Sequence, residues 1–433
     1  MTLSLEKSKQ AHQRAQKVIV GGVNSPVRSF ARVGRTPLLA SHASGAHVFD
    51  LDGNKYIDLV LSYGPHLFGH AHPLIVERIH EAAKKGLGFG LTTEVEIEWS
   101  ERLLKHFPNL DRVRAMNSGT EACMTAIRLA RGYTKKEVIL KFSGHYHGHV
   151  DWLMVDSGSG IATLSNELNP DSDGLPKSVA ESVRVLPFNS EILLEEFFKE
   201  EGDNLAGVIL EPVMGNMGVI PAKVEWLDRL RKLCTAHKAV LILDEVMSGF
   251  RASSTSAQGL YNIKPDLCCL GKVVGGGMPV SALAGTQEIM ECLAPMGKVY
   301  QAGTLSGNPV GIAAGLAMLD LIEKEEPFSQ MEELGSWTQS IFESAIEKYK
   351  IDANVIRRGS MFSVFFRKHN PENARDATDI NHELFSRYFW AMIEEGIMIP
   401  PSSYEAYFLS TAHGAALKNG LEGKVDRVFK KIS

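Results

Sequence analysis

Lys272 follows the apolar run Asp266–Leu270 and precedes the glycine run Gly275-Gly276-Gly277. An ammonium desolvated by apolar neighbours has a lowered pKa, and the neutral amine then attacks carbonyls and takes protons from carbon. The glycines would let the backbone approach a bulky ligand. Taken alone, this stretch reads as a surface lysine before a flexible turn. Asp244 ends the apolar run Ala239–Leu243. A buried carboxylate needs a cation, which a protonated pyridine ring would supply, as would a local arginine such as Arg251. In Asn117-Ser118-Gly119-Thr120-Glu121, Ser118 and Glu121 have capping-box spacing. The N–H groups of Gly119 and Thr120 would there cradle an anion, though alone the stretch is a plain helix cap. The hydroxylated loop Tyr300–Pro309, with Thr304, is a second candidate phosphate contact. Together these pieces match one ligand, an aldehyde cofactor bearing a phosphate. His145, His147 and His149 have strand-like spacing, but no Cys or carboxylate completes a ligand set there, and no metal is expected.

These residues need a frame that brings them together. The runs Val113–Met116, Val138–Phe142, Val183–Leu186, Gly207–Leu210, Ala239–Leu243, Asp266–Leu270 and Ala282–Gly285 are short and mostly apolar. Helix-like stretches at Glu121–Tyr133, Ile192–Glu201 and Lys223–His237 lie between several of them. This alternation predicts an α/β fold, a mostly parallel seven-stranded sheet with helices on both faces. Ligands of such sheets sit at the C-terminal strand ends, where all these candidates fall. Residues 1–70 read as an N-terminal segment, with a helix near 5–17 and a hairpin over His47–Leu61 turning at Asp52-Gly53-Asn54. The large cofactor-binding domain is expected over 71–315. A small α+β domain is expected over 316–433, ending in one helix near Ala415–Lys431. The polar stretch Val155–Ser182 reads equally as a lid or as a surface insertion.

With 433 residues and a net charge of −5, nothing favours nucleic acid or an anionic membrane as partner. No apolar window is long enough to span a bilayer, and the start of the chain does not read as a secretory signal. The five scattered cysteines form no CxxC pair, which points to a reducing, cytoplasmic setting.

Further stretches carry a resemblance: Gly21-Gly22-Val23-Asn24-Ser25-Pro26-Val27-Arg28, Gly69-His70-Ala71-His72-Pro73, Tyr146-His147-Gly148-His149, Leu243-Asp244-Glu245-Val246-Met247 and Ser410-Thr411-Ala412-His413. With those above they span nearly the whole chain. The chain resembles the class III aminotransferases, fold-type-I pyridoxal-phosphate enzymes, and among them the glutamate-1-semialdehyde aminomutases. The resemblance implies that Lys272 holds pyridoxal 5'-phosphate as a Schiff base and shuttles protons, and that Asp244 pairs with the ring nitrogen. Tyr146 would stack on the ring and Asn216 would lie near its hydroxyl. Ser118, Gly119 and Thr120 would hold the phosphate, and Thr304 would reach the phosphate of a second subunit, implying a homodimer. Ser25 and Arg28 would hold the substrate carboxylate, which suits a bidentate arginine. Tyr63 and Glu405 would line the pocket. The implied reaction turns glutamate 1-semialdehyde into 5-aminolevulinate for tetrapyrrole synthesis, through the pyridoxamine form of the cofactor. Glutamyl-tRNA reductase is the implied transient partner. Tyr63 stands where the family commonly carries Trp, His145 replaces a usual Cys, and the segment Leu164–Leu175 is longer and more acidic than expected. The alternatives are an aminotransferase with a separate donor and 2-oxo acid acceptor, and a non-catalytic cofactor-binding protein. The second would show a degraded lysine or aspartate, and both are intact.

Overall fold

The structure, a computed structural model, describes residues 3–157 and 172–433. Half of the stretch expected as a lid, residues 158–171, lies outside the described residues.

A seven-stranded sheet forms the centre. Its strands are β1 (Arg112–Met116), β2 (Val138–Phe142), β3 (Val183–Leu186), β4 (Leu205–Leu210), β5 (Val240–Glu245), β6 (Leu267–Leu270) and β7 (Ser281–Gly285). In space they run β1-β7-β6-β5-β4-β2-β3. Neighbours are parallel except where β7 lies antiparallel between β6 and β1. Every residue of β4, β5, β6 and β7 is buried. That is why these strands read as unbroken apolar runs rather than alternating ones. Helices Gly119–Thr134 and Val224–Ala236 feed separate cores, one holding Ile127 and Ile242, the other Leu230 and Leu241. Successive residues of β5 therefore serve opposite faces of the sheet.

The two ends of the chain share a third core. Phe30, Tyr56 and Leu59 pack with Phe342, Phe389 and Phe429. Strand Lys55–Asp58, the second arm of the expected hairpin, also pairs in parallel with Ile397–Met398. The hairpin turn carries Gly53 at φ 89°, a conformation that favours glycine. Helix Glu94–Lys105 begins with a full capping box between Thr93 and Glu96. The last helical stretch differs from the single helix expected. It is split into His413–Lys418 and Leu421–Ile432 by Gly420 at φ 124°, which a continuous helix does not admit. Among the described residues no helix is long and apolar enough to cross a membrane.

Candidate active site

The C-terminal ends of β1, β2, β4, β5 and β6 meet around a cavity of about 160 Å³. Gly119, Thr120, Tyr146, Asn216, Asp244 and Lys272 all line it, with Cys123, His147, Gly148 and Glu211 between them. A larger cleft of about 840 Å³ opens beside Arg357 and Glu332, but it does not sit where these strand ends converge.

The helix after β1 starts at Gly119. Ser118 caps it, its hydroxyl accepting from the Glu121 N–H at 3.2 Å, and the Glu121 carboxylate accepts from the Asn117 N–H at 2.9 Å. The caps leave the Gly119 and Thr120 N–H groups at the cavity, at the positive end of the helix dipole. Gly148 closes this corner at φ +79°, and a Cβ there would lie 2.3 Å from Thr120 Oγ1 and 2.6 Å from Thr120 Cα. Only glycine fits that approach.

Asp244 ends β5 and is buried. Its Oδ2 accepts from His147 Nδ1 at 2.7 Å and from the Cys123 thiol at 3.3 Å, and its Oδ1 from the Val246 N–H at 3.0 Å. Burial lowers the His147 pKa against the pull of Asp244, so a neutral ring supplies that Nδ1–H. Arg251, the local alternative partner, bonds elsewhere, to Gly64, Ser360 and Leu409. The cation Asp244 could serve must therefore come from the cavity. Cys123, His147 and Asp244 also have ligand atoms within 4.8 Å of one another, but the thiol and the imidazole N–H already point at the carboxylate.

Glu211, immediately after β4, was not singled out from sequence. It accepts from the Tyr146 N–H and Gly215 N–H, both at 2.9 Å, and from Asn216 Nδ2 at 2.8 Å. It thus fixes two cavity-lining residues at once. Burial, then the neighbouring Asp244, pushes its pKa up to about 8. The signal was the one used for Asp244, a carboxylate ending a wholly apolar strand.

Lys272 sits at φ +50°, in the left-handed region. Its side chain keeps some accessibility through the cavity, yet desolvation lowers the amine pKa. Glu405, Glu211 and Asp244 oppose that shift and Arg251 adds to it. Opposite lies a turn in which Leu61, Ser62 and Tyr63 have φ of 45°, 55° and 65°, followed by Gly64 at 117°. Left-handed non-glycine residues cost roughly 1–2 kcal/mol each. Asp58 holds the start of the turn, its Oδ1 accepting from the Val60 and Leu61 N–H groups at 2.8 and 3.1 Å, while Oδ2 meets His70 at 2.7 Å. Tyr63 is half-buried, and burial followed by Glu405 raises its pKa while Arg28 lowers it. Both charges therefore face the phenol.

The remaining sequence candidates lie further out. Ser25 lines a separate cavity of about 410 Å³ with Gly21 and Pro401. Arg28 is exposed on the turn Pro26–Ser29, and Thr304 is exposed too. Within one chain none of these three lines the Lys272 cavity.

A desolvated amine, a carboxylate awaiting a cation and a helix N-terminus opening on one chamber fit a phosphorylated pyridine aldehyde. Residues 30–411 match the family model for aminotransferase class-III. The chain belongs to the class III aminotransferases. This class III aminotransferase is 46% identical over 430 residues to the glutamate-1-semialdehyde 2,1-aminomutase of Persephonella marina, covering 99% of this chain and 100% of that protein. It is likewise 46% identical to glutamate-1-semialdehyde 2,1-aminomutase 2 of Geobacillus kaustophilus, over 99% of each. Among solved structures, an omega-transaminase from Sphaerobacter thermophilus superposes with a TM-score of 0.90 at 31% identity, over 98% of this chain and 97% of that one. A glutamate-1-semialdehyde aminomutase from Pseudomonas aeruginosa superposes with a TM-score of 0.87 at 24% identity, over 99% and 95%, and supports the fold. As a class III aminotransferase the chain uses pyridoxal phosphate.

Proposed function

We infer that this class III aminotransferase is a glutamate-1-semialdehyde 2,1-aminomutase, converting glutamate 1-semialdehyde to 5-aminolevulinate by internal amino exchange. The observation that carries the reading is end-to-end identity of 46% to enzymes of that name. Pyridoxal phosphate, when bound, supplies an electron sink and carries the amine. The chain's own residues do the rest. Asp244, oriented by His147 and Cys123, holds the proton of the ring nitrogen. Gly119 N–H, Thr120 and Ser118 hold the phosphate at the helix start. Tyr146 and Asn216, both anchored by Glu211, would hold the ring. Lys272 Nζ, its pKa lowered by desolvation, takes and returns protons at the substrate carbon. Tyr63 and Glu405 shape the substrate side, and Ser25 and Arg28 hold the substrate carboxylate from the N-terminal turn. A glutamyl-tRNA reductase would supply the substrate.

Thr304 acts in a second subunit in this reading. It is exposed, and Leu305 beside it lies near Gly88, between the exposed Leu87, Phe89 and Leu91. A second copy of the chain would cover this apolar patch. Light scattering on the purified protein should give the mass of a dimer, and a monomer at micromolar concentration would remove this part of the reading.

The omega-transaminase likeness and Tyr63 favour a second reading, transfer between separate donor and acceptor. One assay separates the two. The aminomutase makes 5-aminolevulinate from glutamate 1-semialdehyde with no added acceptor. Turnover that requires a 2-oxo acid would establish the transaminase instead.

A further inference from the structure

Among the described residues, Arg251 is a buried cation with no carboxylate bonded to it. It is 1% exposed. Its Nε donates to the Gly64 carbonyl at 2.7 Å, and its Nη1 to the Leu409 carbonyl at 2.7 Å and Ser360 Oγ at 3.0 Å. Nη2 makes no hydrogen bond among the described residues. Burying an arginine against neutral acceptors alone is costly, so packing does not account for it. What it joins is more informative. Gly64 ends the left-handed turn that presents Tyr63, whereas Ser360 and Leu409 belong to the C-terminal domain. The guanidinium also lies over the Phe408 ring, 5.1 Å from its centroid. A Cβ at Gly64 would lie 3.1 Å from that ring and 3.5 Å from Lys272 Cδ. Arg251, Phe408, Gly64 and the Lys272 stem are thus consecutive contacts that join the N-terminal segment, the region of the central sheet and the C-terminal part of the chain.

We propose that Arg251 is a positioning residue for the Lys272 site: its fork clamps the left-handed turn Leu61–Gly64 to the C-terminal domain, and the clamped turn forms the wall against which the Lys272 stem and the substrate lie. A lysine in its place would keep the charge but not the rigid fork that meets Gly64 and Leu409 through two separate nitrogens. The inference rests on the proposed function only in taking Lys272 as the working amine. The charge of Arg251 acts on Lys272 in the same direction as desolvation, alongside opposing Glu405, Glu211 and Asp244. Geometry and charge therefore predict separable effects.

The test is capture of pyridoxal 5'-phosphate by cofactor-free protein, followed by absorbance across a pH series, in wild type, Arg251→Lys and Arg251→Gln. The high-pH plateau reports how well the neutral amine is placed, and the midpoint reports its pKa. Arg251→Lys should keep the midpoint while its plateau rate falls between about tenfold and 100-fold, the scale of a misplacement near 1 Å. Arg251→Gln should lose the plateau rate similarly and also move its midpoint to higher pH, because a cation disfavouring the protonated lysine is gone. A plateau for Arg251→Lys within about twofold of wild type would overturn the proposal. Should either variant fail to fold by circular dichroism, Gly64→Ala carries the test. It disturbs the same wall while leaving the cation in place, so its plateau should fall with an unchanged midpoint, and an unchanged plateau overturns the clamp. Capture needs no substrate, so a wild type that captures cofactor yet makes no 5-aminolevulinate would count against the aminomutase reading alone.

Discussion

Replacing Gly148 by alanine should cost cofactor affinity far more than a single methyl suggests. The residue sits at φ +79°, where an alanine pays roughly 1–2 kcal/mol in backbone strain. Its Cβ would fall 2.3 Å from Thr120 Oγ1, 2.6 Å from Thr120 Cα and 2.7 Å from Thr120 Cβ. The hydroxyl can rotate away, but the Cα belongs to the first turn of the helix Gly119–Thr134 and cannot move alone. Overpacking of this kind costs about 1–3 kcal/mol. Relief comes by pushing Gly119 and Thr120 back from the corner proposed to hold the phosphate. If half to all of a combined cost of about 2–5 kcal/mol falls on binding, affinity drops between about fivefold and several thousandfold. The assay is an absorbance titration of cofactor-free Gly148→Ala with pyridoxal 5'-phosphate, beside thermal melts with and without cofactor. The expected pattern is a weaker complex and a smaller cofactor-induced rise in Tm. Affinity within twofold of wild type, with an unchanged melt, would refute the claim that this glycine sets the corner.

Lys272→Ala should abolish turnover and the absorbance band of the lysine-bound cofactor; retention of either would remove Lys272 from the centre of the mechanism. Asp244→Asn should lower kcat by about 100-fold to 1000-fold, the scale of a lost electrostatic contact in a closed site, and a change under threefold in steady-state assays would contradict its role. His413 should make the fold acid-sensitive. It is buried, Ser410 N–H points at its Nδ1 and its Nε2 meets the Asp58 carbonyl at 3.0 Å, so the neutral ring is required. Burial lowers its pKa from 6.5 to about 4. The unfolded chain therefore binds the extra proton between those values, and stability falls as pH drops from 6.5 towards 4, by up to about 3 kcal/mol. Urea unfolding at pH 7 and pH 4.5 should show a shallower loss in His413→Gln than in wild type, and equal losses would exclude His413 as a source.

Much of the central sheet was legible because its middle strands, β4 to β7, are buried on both faces. Val138–Phe142 and Val183–Leu186 are bounded in the structure where their apolar runs begin and end. The cavity residues Gly119, Thr120, Asp244 and Lys272 were legible for a related reason: polar or reactive side chains directly after apolar strands have few other places to go. The turn Leu61–Gly64 was not, since nothing in Leu-Ser-Tyr announces three left-handed residues. Tertiary bonds from Asp58 and Arg251 impose them. The strand Ala40–Ser44 was also missed, because it is mostly exposed and lacks an apolar face. Ser25, Arg28 and Thr304 do not line the Lys272 cavity within one chain, a separation that spacing along the sequence does not encode.

The pairing of Lys55–Asp58 with Ile397–Met398 has a consequence for how the protein is made. A ribosome releases the first of these strands long before the second exists. The central sheet, β1 to β7, lies wholly between them and has its own cores, so it is free to condense while the N-terminal strand still waits for its partner. The turn carrying Tyr63 follows that strand directly and is held by Leu409 and Ser360 through Arg251. A nascent chain would thus form the Lys272 cavity first and the wall proposed for the substrate last, and a chain cut short near its end would keep the amine of Lys272 but lack that wall.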